Sequence, residues 1–203
     1  MEGEDILIQG GGVLPGGLSV IGYWALASDI AVWPALPINP ASFEEASEMV
    51  GDFEMKPGKY FRAIESDLEM SELLSNSQGE MNYLSADNRY TFTQCGTSKQ
   101  LIGMMNSTKN RNLAVLLTDL EGKVRQLGDQ ALPAKIVSFS ELGGKKTADM
   151  KAVQFIVYAP GALALFYGGE VPIETPAIPP ENVRVDESGN FRVDESGGYR
   201  EYI

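Results

Sequence analysis

The 203-residue chain has no histidine and only one cysteine, Cys95. Without histidine there is no Ser-His-Asp or Cys-His nucleophilic system, and the commonest zinc ligand is missing. A single cysteine excludes an intrachain disulfide framework. Cys95 falls in an alternating run, where a free cysteine is expected to act as a small apolar residue, with no histidine to activate it as a thiolate. Long apolar runs are absent too. The longest, around residues 20–26, is broken by Gly22 and ends at Ser28-Asp29, well short of the roughly 18 residues of a transmembrane helix. The first residues, Met1-Glu2-Gly3-Glu4-Asp5, are acidic, unlike the basic start of a signal peptide. Bases are scarce: 16 Lys and Arg stand against 28 Asp and Glu, a net charge of −12. Such a chain is not built to grip nucleic acid, which requires neutralising phosphates. Its acidity reads as a solvated surface, or as a lining past which DNA slides without sticking.

The remaining composition, 43% hydrophobic and 22% charged, is that of a globular protein. A chain this long buries roughly 70% of its unfolded surface and needs no covalent staples. Three segments are expected: a glycine-rich arm over residues 1–17, a β-rich core over 18–170, and a proline-rich linker with a repeat tail over 171–203. The arm carries Gly10-Gly11-Gly12 and Pro15-Gly16-Gly17. It lacks the Lys-Ser/Thr ending and the G-x-G-x-x-G spacing of phosphate-binding loops, so it reads as flexible chain. Ile6, Leu7 and Ile8 are its candidate contacts with a neighbouring subunit.

Within the core, residues 18–33 suggest one or two strands, and Pro34, Pro37 and Pro40 mark a loop. Ser42 and Glu45, three apart, form a capping-box-like start for a short helix or turn ending near Gly51. Pro57-Gly58 between residues 53–55 and 60–64 reads as a hairpin turn. Residues 64–80 are read as strand, although Ser71-Glu72-Leu73-Leu74 also permits a helical turn. The stretch from 89 to 158 reads strand, helix (about 97–107), apolar strand at 113–117, hairpin turn at 119–123, and further strands. One of these starts at Pro133, and the last runs from Met150 to Tyr158 with Val153, Phe155 and Val157 on one face. Gly143-Gly144-Lys145-Lys146 between them is a basic loop able to meet a neighbour's acidic segment. The fold class expected is α+β, mainly β: an antiparallel sandwich or barrel-like pair of sheets with one covering helix and extended N- and C-terminal arms.

Ten acids, Glu44, Glu45, Glu48, Asp52, Glu54, Glu65, Asp67, Glu69, Glu72 and Glu80, face only Lys56, Lys59 and Arg62 across residues 43–80. The first nine are the candidate acidic or lumen face. No D-x-D-x-D-G loop is present, so a solvated face is favoured over a hard-cation site. Beyond Pro172, Pro176, Pro179 and Pro180 an eight-residue unit occurs twice, Arg184 to Phe191 and Arg192 to Tyr199, and Arg200 starts a third. Two copies cannot bury a core alone. The tail is therefore expected to be disordered in an isolated monomer and, in an assembly, docked on another subunit as added strands, with Val185, Phe191, Val193 and Tyr199 as its candidate contacts.

Residues 53–167 resemble tail-tube proteins of tailed bacteriophages and related virion ring proteins. The likeness rests on Tyr90-Thr91-Phe92-Thr93 leading to a helix, the apolar strand at 113–117, Glu121 to Gly128, and Ala131-Leu132-Pro133-Ala134. The resemblance implies a non-enzymatic subunit that closes into rings, stacks, and passes genomic DNA through an acidic lumen without specific binding. It implies partners in the subunit itself and in other virion proteins (portal, connector, tail), and a place in the virion assembled in the host cytoplasm. Tail tube, neck ring and capsid-attached accessory all fit it. From the residues alone, a β-rich surface or carbohydrate-binding module is the alternative, with Trp24, Trp33 and Tyr60 as stacking candidates. An enzyme working through paired carboxylates is the third reading, but no Asp/Glu spacing singles out a pair. No cofactor, metal or membrane insertion is expected.

Overall fold

A computed structural model describes residues 17–67, 69–143 and 151–174. The chain divides into two compact units, Met1–Ile173 and Glu174–Ile203, and all of the second except Glu174 lies outside the described residues. So do the candidate arm residues Ile6, Leu7, Ile8, Val185, Phe191, Val193 and Tyr199, and most of the basic loop after Gly143.

The first unit is the expected mainly β, antiparallel fold. Strands β1 (Leu18–Leu26), β4 (Arg62–Glu65), β7 (Leu113–Asp119), β8 (Val124–Leu127) and β11 (Phe166–Tyr167) form a five-stranded sheet in the order β11-β8-β7-β1-β4. Strands β5 (Glu72–Gln78), β6 (Ser85–Cys95), β9 (Lys135–Leu142) and β10 (Ala152–Gly161) form a four-stranded sheet in the order β5-β6-β10-β9. A short pair, β2 (Ile30–Val32) and β3 (Glu54–Met55), stands apart. Both main sheets are open, so of the two expected arrangements the sandwich is the one adopted.

Two cores hold these layers together. Between the sheets, Tyr90 and Phe92 of β6 and Phe155 and Val157 of β10 meet Leu113, Val115 and Leu117 of β7. Phe92 is fully buried and stacks on Phe155 at 4.5 Å between ring centroids. The odd-numbered residues of β7 point into this core. Its even ones, Ala114 and Leu116, point to the other side, where Phe53, Phe61, Tyr167 and Ile30 cover them. Phe53 is the hub of that second core, 5.0 Å from Phe61, 5.3 Å from Tyr167 and 5.6 Å from Trp33. A strand buried on both faces needs an unbroken apolar run, and Leu-Ala-Val-Leu-Leu supplies it.

Helix α2 (Lys99–Thr108) is the covering helix. The Ser98 hydroxyl accepts from Leu101 N–H at 3.0 Å and caps its start. Asn110, at φ 63°, provides the left-handed residue just past its end. Leu101 and Met105 enter the inter-sheet core. The β7–β8 turn closes on Asp119, whose Oδ1 accepts from Glu121 N–H at 3.0 Å and Lys123 N–H at 2.9 Å.

Several local expectations differ from the fold. Pro57-Gly58 does make a turn, with Lys59 N–H donating to Lys56 C=O at 2.9 Å, but its flanks are not a hairpin. Strand β3 pairs with β2, and β4 pairs with β1. Phe53 and Phe61 anchor the flanks in the second core, and that burial outweighs local pairing. Residues 64–80 are not one strand: β4 ends at Glu65, the chain crosses to the other sheet, and β5 begins at Glu72, including the Leu73-Leu74 stretch that permitted a helix. Strand β9 starts at Lys135 rather than at Pro133, which has no N–H for a ladder. Helix α1 (Phe43–Ala46) stops well before Gly51. Ser42 caps it as the spacing predicts, at 3.1 Å from Glu45 N–H, and Glu45 reaches back to Ala41 N–H at 2.8 Å. The body's contacts continue to Ile173, since Phe61 N–H donates to Pro172 C=O at 2.9 Å.

Candidate functional site

The nine candidate acids do not gather into one face. Glu44, Glu45, Glu48, Asp52 and Glu54 belong to the layer that covers the five-stranded sheet, around α1 and β3. There the backbone at Gly168 and Gly169 approaches the Glu48 and Asp52 carboxylates so closely that any side chain at Gly169 would collide with Asp52. Glu65, Asp67, Glu69 and Glu72 line the crossing from β4 to β5. Asp67 is committed structurally: its carboxylate accepts the Cys95 N–H, and its own N–H donates to Thr93 C=O at 3.2 Å. The three opposing bases do not neutralise this segment. Lys56 Nζ donates to Ser28 C=O at 2.6 Å and Lys59 lies 3.8 Å from Asp29. Among the described residues no group of three or more His, Cys, Asp or Glu side chains is arranged to hold a metal ion, and no helix is long and apolar enough to cross a membrane.

Cys95 is exposed, at the end of β6, rather than packed as a small apolar residue. Along β6 the even residues Ala86, Asn88, Tyr90 and Phe92 are buried, so the alternation itself places Cys95 on the outward side. The Asp67 carboxylate, hydrogen-bonded to the thiol, together with partial burial and the carboxylate's charge, pushes its pKa up from the ordinary value. That is the opposite of an activated nucleophile.

The aromatic candidates separate as well. Trp24 packs between the sheets, where the space left beside it is about 20 Å³. Trp33 packs on Phe53 in the second core. Only Tyr60 stays exposed, and one ring makes no stacking platform.

The surface features that the linear sequence did not single out are apolar. The β5–β6 hairpin projects Met81, Tyr83 and Leu84 at its tip, between 67 and 84% exposed. Gly79, at φ 119°, and Asn82, at φ 73°, set this turn, and the Gly79 Cα lies so close to Tyr83 C=O that only glycine fits. Strand β9 bears Val137, Phe139 and Leu142, 48 to 55% exposed. It is an edge strand with no proline, although its ladder with β10 is irregular near Val157 and Glu141 stands opposite the buried Val153. The hairpin lies on the β5 side of the four-stranded sheet and β9 on the opposite edge. The sequence signal for both was a run of apolar residues within polar neighbours, but only the sheet order shows that they end up at the two edges.

One buried polar residue organises this end of the sheet. Asn88, 2% exposed, donates through Nδ2 to Ala159 C=O at 3.0 Å and Ala162 C=O at 2.7 Å. Its Oδ1 accepts from Ser75 Oγ at 2.7 Å and Ala164 N–H at 3.2 Å. It thereby ties β5, β6 and the loop after β10 into one rigid support for the hairpin.

Comparison with protein-family models, with curated proteins and with solved structures finds no match for this chain.

Proposed function

We propose that this protein is a non-enzymatic virion structural subunit that joins copies of itself head to tail into rings or a tube, a conduit for DNA in the phage tail or its connection to the head. The observation that supports this reading is the pair of apolar surfaces at opposite edges of one sheet: the hairpin tip (Met81, Tyr83, Leu84) and the edge strand β9 (Val137, Phe139, Leu142). Two different surfaces of one subunit meeting each other make a heterologous contact, which closes into a ring when the rotation allows. The resemblance to tail-tube and ring proteins and the net charge of −12 agree with it, since an acidic assembly does not hold the DNA it conducts.

The test uses two variants, Met81→Ser/Tyr83→Ser/Leu84→Ser and Val137→Asp/Phe139→Asp. Negative-stain microscopy and mass photometry of the wild type should show rings or tubes at high protein concentration, and each variant alone should be monomeric. Mixed in equal amounts, the two should stop at heterodimers, because each retains one intact surface. A wild type that stays monomeric at every concentration and with virion partners supplied would overturn the proposal. Unchanged assembly by both variants would refute these surfaces as the contact.

A further inference from the structure

The apolar surface at the hairpin tip continues beyond the tip. After Leu84 the chain enters β6, where Ala86 pairs with Gly161 at the end of β10. Leu132 lies over Gly161, so close that a Cβ there would stand 3.0 Å from its Cδ1. Leu163 sits between Ala162, whose C=O accepts from Asn88, and Ala164, whose N–H donates to Asn88. Leu163 and Leu36 line one small pocket. Leu132 is 45% exposed, Leu163 61% and Leu36 41%. The carboxylate of this stretch, Asp129, accepts from Ala131 N–H and Leu132 N–H, both at 2.7 Å, and is thereby held to its own loop. At about 200 Å² for a fully exposed side chain of this size, the tip residues Met81, Tyr83 and Leu84 alone offer roughly 500 Å². With Leu36, Leu132 and Leu163 the apolar surface reaches roughly 750 Å², above what monomers usually leave in one patch and close to the ~800 Å² that each partner buries in a stable complex.

We infer that Leu36, Leu132 and Leu163 form, with the hairpin tip, one docking surface for a second copy of this chain, which presents its β9 edge; this extends the head-to-tail contact proposed above and rests on it. The tip alone is too small for a stable complex, and the enlarged surface reaches the required area. The surface is also pre-formed. Asn88 bonds to Ser75 of β5 and to backbone groups on both sides of Leu163, so the base of the hairpin and the loop after β10 are one body and little ordering is needed on binding. The second copy supplies an anchor. Its Phe139 pairs with the buried Phe155 and so faces the inner side of its sheet, yet is 54% exposed. A half-open aromatic ring on an edge strand carries binding energy when aliphatic side chains close over it and exclude water.

The test adds a third variant of the full chain, Leu132→Ser/Leu163→Ser, to the two described above, again read by mass photometry. The concentration at which half the chains assemble should rise about tenfold or more over the wild type. The mixtures are made at a concentration where the new variant alone is monomeric. With Val137→Asp/Phe139→Asp it should give heterodimers, because its own β9 meets the intact tip surface of the other chain, and those heterodimers also show that it folds. With Met81→Ser/Tyr83→Ser/Leu84→Ser it should stay monomeric, because both chains have lost the same surface. Assembly equal to that of the wild type, heterodimers with the tip variant, or no heterodimers with the β9 variant would each overturn the inference. A wild type that does not assemble removes the head-to-tail reading and this surface with it, whereas equal assembly by the wild type and Leu132→Ser/Leu163→Ser removes the surface alone.

Discussion

The two sheets of the sandwich solve different problems with different sequences. The five-stranded sheet is covered on both faces. Its central strand β7 is therefore apolar at every position from Leu113 to Leu117, all of them buried. The four-stranded sheet is covered on one face only, and β10 alternates: Val153, Phe155 and Val157 are buried, while Gln154, Ile156 and Tyr158 are only half-buried. The bare face, the hairpin tip and the β9 edge all belong to this second sheet. Burial on both faces is found in the first sheet, and the second carries the exposed hairpin tip and edge strand. This is the division expected if the first sheet is scaffold and the second carries function.

The sharpest way to break this comparison is a matched pair of truncations. Leu116→Ala opens a cavity in the second core, where the side chain is completely buried, and should cost about 2–5 kcal/mol in urea denaturation. Ile156→Ala removes a side chain of similar size from the half-covered face and should cost about 1 kcal/mol or less. Equal costs would mean that another layer covers the outer face of the four-stranded sheet in solution, and the scaffold–surface distinction would fail.

This contrast was legible in the linear sequence because burial on one face or two imprints directly on apolar periodicity. The α2 cap at Ser98 and the turn at residues 119–123 were legible for the same reason: a few adjacent residues decide them. What could not be read depends on pairings across long separations. The Pro57-Gly58 turn looked like a hairpin until Phe53 and Phe61 were seen to anchor its flanks on Leu116 and Tyr167. The acids of residues 44–72 looked like one face, but the crossing from β4 to β5 divides them between two regions. Asn88 carried no signal within Asp87-Asn88-Arg89, because its partners at residues 159–164 lie some 70 positions away in the chain.

A second test compares the two cores through their tyrosines. Burial raises the pKa of Tyr90 in the inter-sheet core. Burial also raises Tyr167 in the second core, where its hydroxyl donates to Glu170 C=O at 3.0 Å and accepts from Phe53 N–H at 3.3 Å. A folded-state pKa above the unfolded value favours the protonated folded form. The corresponding stability is fully present below about pH 10 and is lost as pH rises through the raised values. Urea midpoints should therefore fall in the alkaline range, and Tyr90→Phe and Tyr167→Phe should each flatten part of that fall. If only one does, that core governs alkaline unfolding. If neither does, other groups cause it.

The smallest effect sharpens the comparison at the point where the two sheets are joined. Asp67 lies on the crossing from the five-stranded to the four-stranded sheet and holds the end of β6 through the Cys95 N–H. The same carboxylate keeps the Cys95 thiol protonated, so alkylation near neutral pH should be slow for an exposed cysteine. Asp67→Asn keeps an oxygen that can accept the backbone N–H but removes the charge, and alkylation should become severalfold faster. The difference should shrink as pH rises past both thiol pKa values, because each form is then thiolate. A gap that persists at high pH would have a different cause. It would mean that the substitution loosened the crossing and exposed Cys95, so that Asp67 acts as a tie between the sheets more than as a charge beside the sulfur.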